Sequence, residues 1–252
     1  MVACGTASSL AEARGLILAG RVSVDGRRAD KAGERVGPAS RLEVAGKEHP
    51  YVSRGGVKLA AALDAFAIDC RGRTALDVGA STGGFTDCFL RRGAAKVHAV
   101  DTGKGQIDAR LRDDPRVVLH ERTNARRLDA AIVPDPIDVA AVDVSFISAR
   151  RVLPAVAALL APEARLVVLV KPQFEARREE VRPGGLVLDP EIRRRVVEEV
   201  AAAGAALGLR RIGLVPSPIA GARGNAEFLL GFGRPADAPP DIEALPRSGR
   251  DC

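Results

Sequence analysis

No stretch of about eighteen consecutive apolar residues occurs in this chain of 252 residues, so no segment reads as a membrane-spanning helix. The opening MVACGTASSLAEARG has no basic segment followed by an apolar one, which is what a secretory signal needs. The expected location is therefore the cytoplasm, and no membrane partner is expected. Cys4, Cys70, Cys88 and Cys252 form no C-x-x-C pair, which argues against a disulfide framework and against a structural zinc site. His49, His98 and His120 are equally scattered, so no metal is expected. Lysine is scarce, with only six among 38 basic residues. A buried lysine can give up its proton near neutral pH and an arginine cannot, so each lysine is a candidate for chemistry as well as for solubility.

What is present describes a globular protein: 46% hydrophobic and 28% charged residues, in a chain long enough for one full domain and a small module. The net charge of +6 favours polyanionic partners. Residues 8–20, SSLAEARGLILAG, read as a helix capped by serine and closed by Gly20, with Leu10, Ala13, Leu16 and Ile17 on one face. RVSVDGRRADKAGERV then alternates around Asp25-Gly26, a hairpin signal, and RLEVAG (41–46) adds a strand. Residues 1–60 hold ten Lys/Arg and six Asp/Glu, a charge of +4. The expected domains are a small RNA-binding module over 1–47, a linker over 48–56, a catalytic domain over 57–233 and a disordered tail over 234–252.

From Arg73 onward strands and helices alternate. Strands are expected near 74–80, 96–102, 116–121, 138–144 and 164–171, with helices between them and a long helix at about 190–207. The segments 211–218 and 226–232 are close enough to pair as an antiparallel hairpin. This pattern predicts an α/β fold, a Rossmann-like doubly wound sheet of seven strands with the last antiparallel, whose ligands lie at the carboxyl ends of the strands.

The stretch LDVGASTGGFTD, Leu76 to Asp87, nearly fits the triphosphate-loop pattern G-x-x-x-x-G-K-[ST], but Phe85 stands where lysine belongs. No other basic residue lies in the stretch, and Asp77 precedes the first glycine where it would repel a phosphate. The dinucleotide pattern G-x-G-x-x-G also fails, because Ala80 and Ser81 follow Gly79. A glycine loop with an acidic flank suits a ligand that is cationic at the loop, and S-adenosylmethionine is such a ligand. Gly79, Ala80, Ser81, Gly83, Gly84 and Phe85 are expected to cradle it. Asp77 either orders the loop or faces the methionine end. Asp101, 22 residues after Gly79, falls where a carboxylate holds ribose hydroxyls, and Asn124 is placed to read the adenine edge. The plainer roles are turn capping for both.

Asp143, Lys171 and Glu227 fall at strand ends where such a sheet gathers its site, and Lys58 lies on a helix leading into the first strand. A plainer alternative is that Lys171 and Asp143 only tie two strand ends together.

The motifs YVSRGG-KL, LDVGASTGGFTD, DVSFIS, LVKPQFE and GNAEFL, in that order, resemble the TlyA-type ribosomal RNA methyltransferases, formerly labelled haemolysins, within the FtsJ-like ribose 2′-O-methyltransferases. The resemblance runs from about Ser8 to about Phe232. It implies a class I methyltransferase sheet, ribosomal RNA or ribosomal subunits as partner, a cytidine ribose as target, and a catalytic tetrad of Lys58, Asp143, Lys171 and Glu227, with Asp143 also lining the cofactor site. EARGLILAGRVSVDG is similar to the RNA-binding module shared with small-subunit ribosomal protein four, although this chain starts almost at the serine of that module. The module is thus expected to be trimmed, or the chain to start late. Arg14, Arg21 and Arg54 are candidate phosphate contacts. Lys171 is then expected either to take the proton of the ribose hydroxyl or to orient that hydroxyl. Its ordinary pKa of about 10.4 means that a neutral amine needs burial and a second cation. Three other readings compete: a membrane-lytic protein, a non-catalytic RNA-binding assembly factor, and a nicotinamide-dependent oxidoreductase.

Overall fold

Asp25 and Gly26 both sit at positive φ, 51° and 78°, the pairing that a two-residue hairpin with right-handed twist requires. They join β1 (Val22–Val24) to β2 (Arg27–Arg28), and β3 (Leu42–Val44) pairs with β1 on its other side, giving a three-stranded sheet in the order β2-β1-β3. The Asp25 carboxylate accepts from the Arg41 amide at 2.7 Å, which fixes the turn to the start of β3. Helix α1 (Leu10–Leu18) places Leu16 and Ile17 against Val22, Val24 and Ala29. Leu10 departs from the expected face: it is 73% exposed, because it opens the helix a turn and a half before the residues that reach this small sheet.

This computed structural model describes residues 1–7, 9–18, 21–29, 31, 33–37, 39–44, 49–221 and 224–235. The expected caps Ser8 and Gly20, the end of the 41–46 strand and nearly all of the 234–252 tail lie outside them. The chain divides into two compact units, Met1–Pro50 and Tyr51–Cys252.

The second unit opens with α2 (Gly55–Ala65) and continues as β4 (Thr74–Val78), α3 (Gly84–Arg91), β5 (Lys96–Val100), α4 (Ala109–Arg112), β6 (Val117–His120), β7 (Ile137–Val142), α5 (Leu153–Leu159), β8 (Leu160–Val170), α6 (Pro172–Glu175), α7 (Pro190–Ala205), β9 (Arg210–Pro216) and β10 (Phe228–Gly233). Seven of these strands form one sheet in the order β6-β5-β4-β7-β8-β10-β9. Neighbours from β6 to β8 are parallel, while β10 runs antiparallel to both β8 and β9. The expected doubly wound sheet with a reversed last strand is the one observed.

Strand alternation builds two cores. Ala75, Val97, Ala99, Val139, Ala141, Val167 and Leu169 face α2 and α3, where Leu59, Leu63 and Phe89 cover them. Leu76, Val78, Ala140, Val142, Leu166 and Val168 face α5 and α7, where Val156, Val197 and Val200 cover them. Each fully buried aliphatic side chain contributes about 1.5–3 kcal/mol. With both faces covered and few polar side chains inside the strands, buried Asp77 and His98 among them, the strand ends are where a ligand can reach the sheet. The site must therefore form there.

Candidate active site

Backbone geometry decides the loop after β4. Gly79 has φ 92°, and a side chain on it would run into the carbonyl of Asp143, so the loop lies directly against the end of β7. The amides of Gly79 and Ala80 both donate to the Val100 carbonyl, which folds the loop toward β5. Gly83 caps α3 at φ 94°, and Gly84 packs so closely on the start of α2 that a side chain would strike Ser53 and the Gly56 amide. Phe85 turns its ring inward against Gly55.

Thr86, which fills the Ser/Thr position of the triphosphate pattern, is turned away from that role as well. Its hydroxyl donates to the Asp77 carboxylate at 2.6 Å, so the residue that would face a metal–phosphate complex is turned to the protein interior. Asp77 itself is fully buried beneath the loop, and its other oxygen has no partner among the described residues. Burial pushes its pKa up to about 7; the Thr86 hydrogen bond opposes this, and the carboxylates of Asp143 and Asp101 add to it. Asp101 follows β5 and accepts from the amides of Ser81, at 2.8 Å, and Gly103, at 2.6 Å. Asn124 caps a short 3-10 turn, Ala125–Arg127, by accepting from the Arg126 amide. Both capping roles are thus filled, yet Asp101 and Asn124 also line a cleft of about 510 Å³ together with Gly79, Ser81 and Asp143.

A second cleft, of about 260 Å³, shares Gly79, Ser81 and Asp143 with the first and adds Arg54, Lys58 and Ala80. Sheet register explains which ionisable groups gather near it. Val142 pairs with Val168 and Phe228 with Val170, so Asp143, Lys171 and Glu227, each one residue beyond its strand, stand on three adjacent strand ends. Helix α2 carries Lys58 to the same edge. Lys58 Nζ donates to Glu227 at 2.5 Å, with the two side chains 13% and 3% exposed. Lys171 Nζ lies 2.5 Å from the Asp143 carboxylate and donates to Ser145 Oγ at 2.9 Å. The predicted Lys171–Asp143 ion pair therefore exists, and its Asp143 forms a wall shared by both clefts. The segment through Gly221 passes so close to Glu227 that a side chain at Gly221 would collide with the carboxylate.

The structure thus brings Lys58, Asp143, Lys171 and Glu227 to one edge, with Gly79, Ala80, Ser81, Gly84, Phe85, Asp101 and Asn124 lining the clefts and Gly83 capping the helix behind them. Asp77 lies under this surface and not on it. Arg54 precedes α2 and lines the smaller cleft, whereas Arg14 and Arg21 belong to the first unit. Sequence reasoning missed Ser145, which holds Lys171, and Gln106 and Phe146, which line the larger cleft. Ser145 and Phe146 lie inside the quoted DVSFIS motif, but nothing in their type or spacing marks them. It also missed Glu175, buried at the end of α6, which accepts from Ser148 Oγ at 2.5 Å, the Ala149 amide at 2.6 Å and Arg150 Nε at 3.2 Å. That carboxylate ties the loop carrying Asp143 and Ser145 to the helix that begins after Lys171.

The family model described as FtsJ-like methyltransferase matches residues 51–234, and the S4 domain model matches residues 2–42. The chain is 47% identical over 231 residues to the 16S/23S rRNA (cytidine-2′-O)-methyltransferase TlyA of Mycobacterium tuberculosis, covering 91% of this chain and 86% of that protein. It is 38% identical to Hemolysin A of Brachyspira hyodysenteriae, over 90% of this chain and 95% of the other. A solved structure from Streptococcus thermophilus that carries a hemolysin label superposes with a TM-score of 0.76 at 40% identity, covering 92% of this chain and 85% of that one. The glycine loop, the two lysine–carboxylate pairs and these matches lead to one assignment: the chain belongs to the TlyA group of the FtsJ-like methyltransferase family, with an S4 domain before its catalytic domain.

Proposed function

We propose that this protein methylates the ribose 2′-hydroxyl of a cytidine in ribosomal RNA, with S-adenosylmethionine as donor. The observation that carries the reading is the meeting of two mostly buried lysine–carboxylate pairs, Lys58–Glu227 and Lys171–Asp143, at a strand-end edge beside a glycine loop. The donor fits the loop. Gly79 lets the loop pack directly on the Asp143 backbone, and the walls nearby are acidic, through Asp101 and Asp143, which suits a cation and repels a phosphate chain. Asp101 would hold the ribose of the donor and Asn124 its adenine edge. Asp77 organises the loop from below. When bound, S-adenosylmethionine supplies the sulfonium methyl.

The protein's own work is alignment and proton removal. Holding reacting groups in line supplies roughly 7–11 kcal/mol of the barrier. Lys171 is held by Asp143 and Ser145 at the junction of strand ends, where it either accepts the proton of the ribose hydroxyl or orients that hydroxyl by hydrogen bonding. Lys58, held by Glu227, provides the second cation of the site. Arg54 at the cleft and Arg14 and Arg21 in the S4 domain would contact RNA phosphates, which position the strand without reading its bases. The substrate is read as RNA within a ribosomal subunit, which places the reaction in the cytoplasm. Among the described residues, no helix is long and apolar enough to cross a membrane.

The test is Lys171→Arg. It keeps the positive charge and loses a titratable amine, and methyl transfer should fall at least about 100-fold, the usual share of a positioned acid or base. Donor binding by titration calorimetry and the melting temperature should stay at wild-type levels. Near-normal turnover would remove Lys171 from the mechanism. Mass-spectrometric mapping of ribose methylation in ribosomal RNA, with and without the gene, identifies the nucleotide.

A further inference from the structure

Past Phe146 the larger cleft opens into a hollow of about 690 Å³, bounded by the loop after β7, by α6 and by the 3-10 turn Arg178–Glu180. Phe146 is held at φ 65° and is 93% exposed, and its ring lies 5.3 Å from that of half-buried Phe174, tilted by 50°. A bulky residue at positive φ with its ring in water is unfavourable on both counts, so this geometry marks a functional surface. Gln173, between Lys171 and Phe174, has a buried side-chain oxygen with no partner among the described residues. An unmatched buried acceptor is costly unless a ligand supplies a donor. Arg151 and Arg178 are exposed on the rim, and neither forms an ion pair with a described residue. Arg150 differs, being held by Glu175 and Glu199.

These features supply three chemistries together: an aromatic face, an amide able to hydrogen-bond a base edge, and unpaired guanidinium groups. Single-stranded RNA uses all three, by stacking, edge recognition and phosphate contact. We propose that the hollow seats a nucleotide next to the target, its base on Phe174 and Gln173 and its phosphates against Arg151 and Arg178. The inference rests on the reading of this chain as an RNA methyltransferase. It assigns the hollow to strand positioning, one nucleotide away from the chemistry, because Phe146 and Ile147 wall both this space and the cleft that reaches Asp143.

The experiment compares the full-length wild type with Phe174→Leu, Phe174→Tyr and the double variant Arg151→Ala/Arg178→Ala. Three quantities are measured: equilibrium affinity for unmethylated ribosomal RNA, steady-state methylation, and affinity for S-adenosylmethionine. Phe174→Leu should weaken RNA binding about tenfold, the scale of one lost stacking contact, with the loss in KM exceeding that in kcat. Phe174→Tyr should restore affinity, the arginine pair should bind RNA with a shallower salt dependence, and donor affinity should be constant throughout. Wild-type RNA affinity in both Phe174→Leu and the arginine variant overturns the proposal. So does a Phe174→Leu defect that Phe174→Tyr does not repair. If Phe174→Leu fails to fold, the arginine variant decides alone. A wild-type chain that binds the donor but neither binds nor methylates RNA overturns the RNA reading, and the hollow's assignment with it; equal wild-type and variant affinities overturn only the latter.

Discussion

Asp77 shows how strand alternation places a residue that a motif leaves open to two roles. Within LDVGASTGGFTD it either orders the loop or faces the methionine end, and its position in β4 sends it to the same side as Ala75, under α3 and beside Thr86. A charged group at a core position is legible as an oddity, but its direction is not, because glycine loops can turn either flank outward. The consequence is measurable. Burial holds the Asp77 carboxyl at about 7 in the folded chain, against about 3.9 in an unfolded one. Below about pH 4 both states carry the proton, and this group adds no pH dependence. Between about pH 4 and 7 the unfolded state releases its proton while the folded state keeps it, so stability falls as pH rises, and above about 7 the loss is complete. Asp77→Asn removes that slope and retains an acceptor for Thr86. Urea denaturation across this range should show the wild type losing ground to the variant as pH rises. A wild-type-to-variant gap that does not change with pH contradicts the assignment.

At the scale of elements, the loop from Asp143 to Ser148 and helix α6 act as a pair, joined by Glu175. Its carboxylate is buried, and burial raises its pKa while hydrogen bonds from Ser148, Ala149 and Arg150 oppose the shift. Glu175→Ala leaves the Ser148 hydroxyl and the Ala149 amide without that acceptor, while Arg150 keeps Glu199, and should destabilise the fold by about 3 kcal/mol, the cost of breaking a buried charged network. The measurement is the urea midpoint, accompanied by a fall in kcat as the Lys171–Asp143–Ser145 geometry loosens. An unchanged midpoint would show that the clamp contributes nothing. The elements themselves were legible: every expected strand from 74 onward is present within a few residues, because the central strands are buried on both faces and read as mainly apolar runs. Those run ends also disclosed Asp143, Lys171 and Glu227. The clamp and the RNA hollow were not legible. Glu175, Gln173 and Phe174 follow a proline in a one-turn helix, too short for any periodicity to say which side chain points inward.

At the scale of the molecule, a net charge of +6 and an arginine-rich N-terminal segment make RNA affinity a matter of counterion release. Replacing Arg14 and Arg21 together by alanine should reduce the slope of log affinity against log salt by about 1.4, at roughly 0.7 per single-strand phosphate contact. Donor affinity should not change. Equal slopes for variant and wild type would take both arginines off the phosphate backbone. The sheet order imposes a schedule as well. Strand β10 enters between β8 and β9, both made before it, and Glu227 meets Lys58 across 169 positions of chain. During synthesis the pair cannot close until β10 has left the exit tunnel, whatever has folded already. Until then Lys58 lacks the carboxylate that holds it in the folded chain.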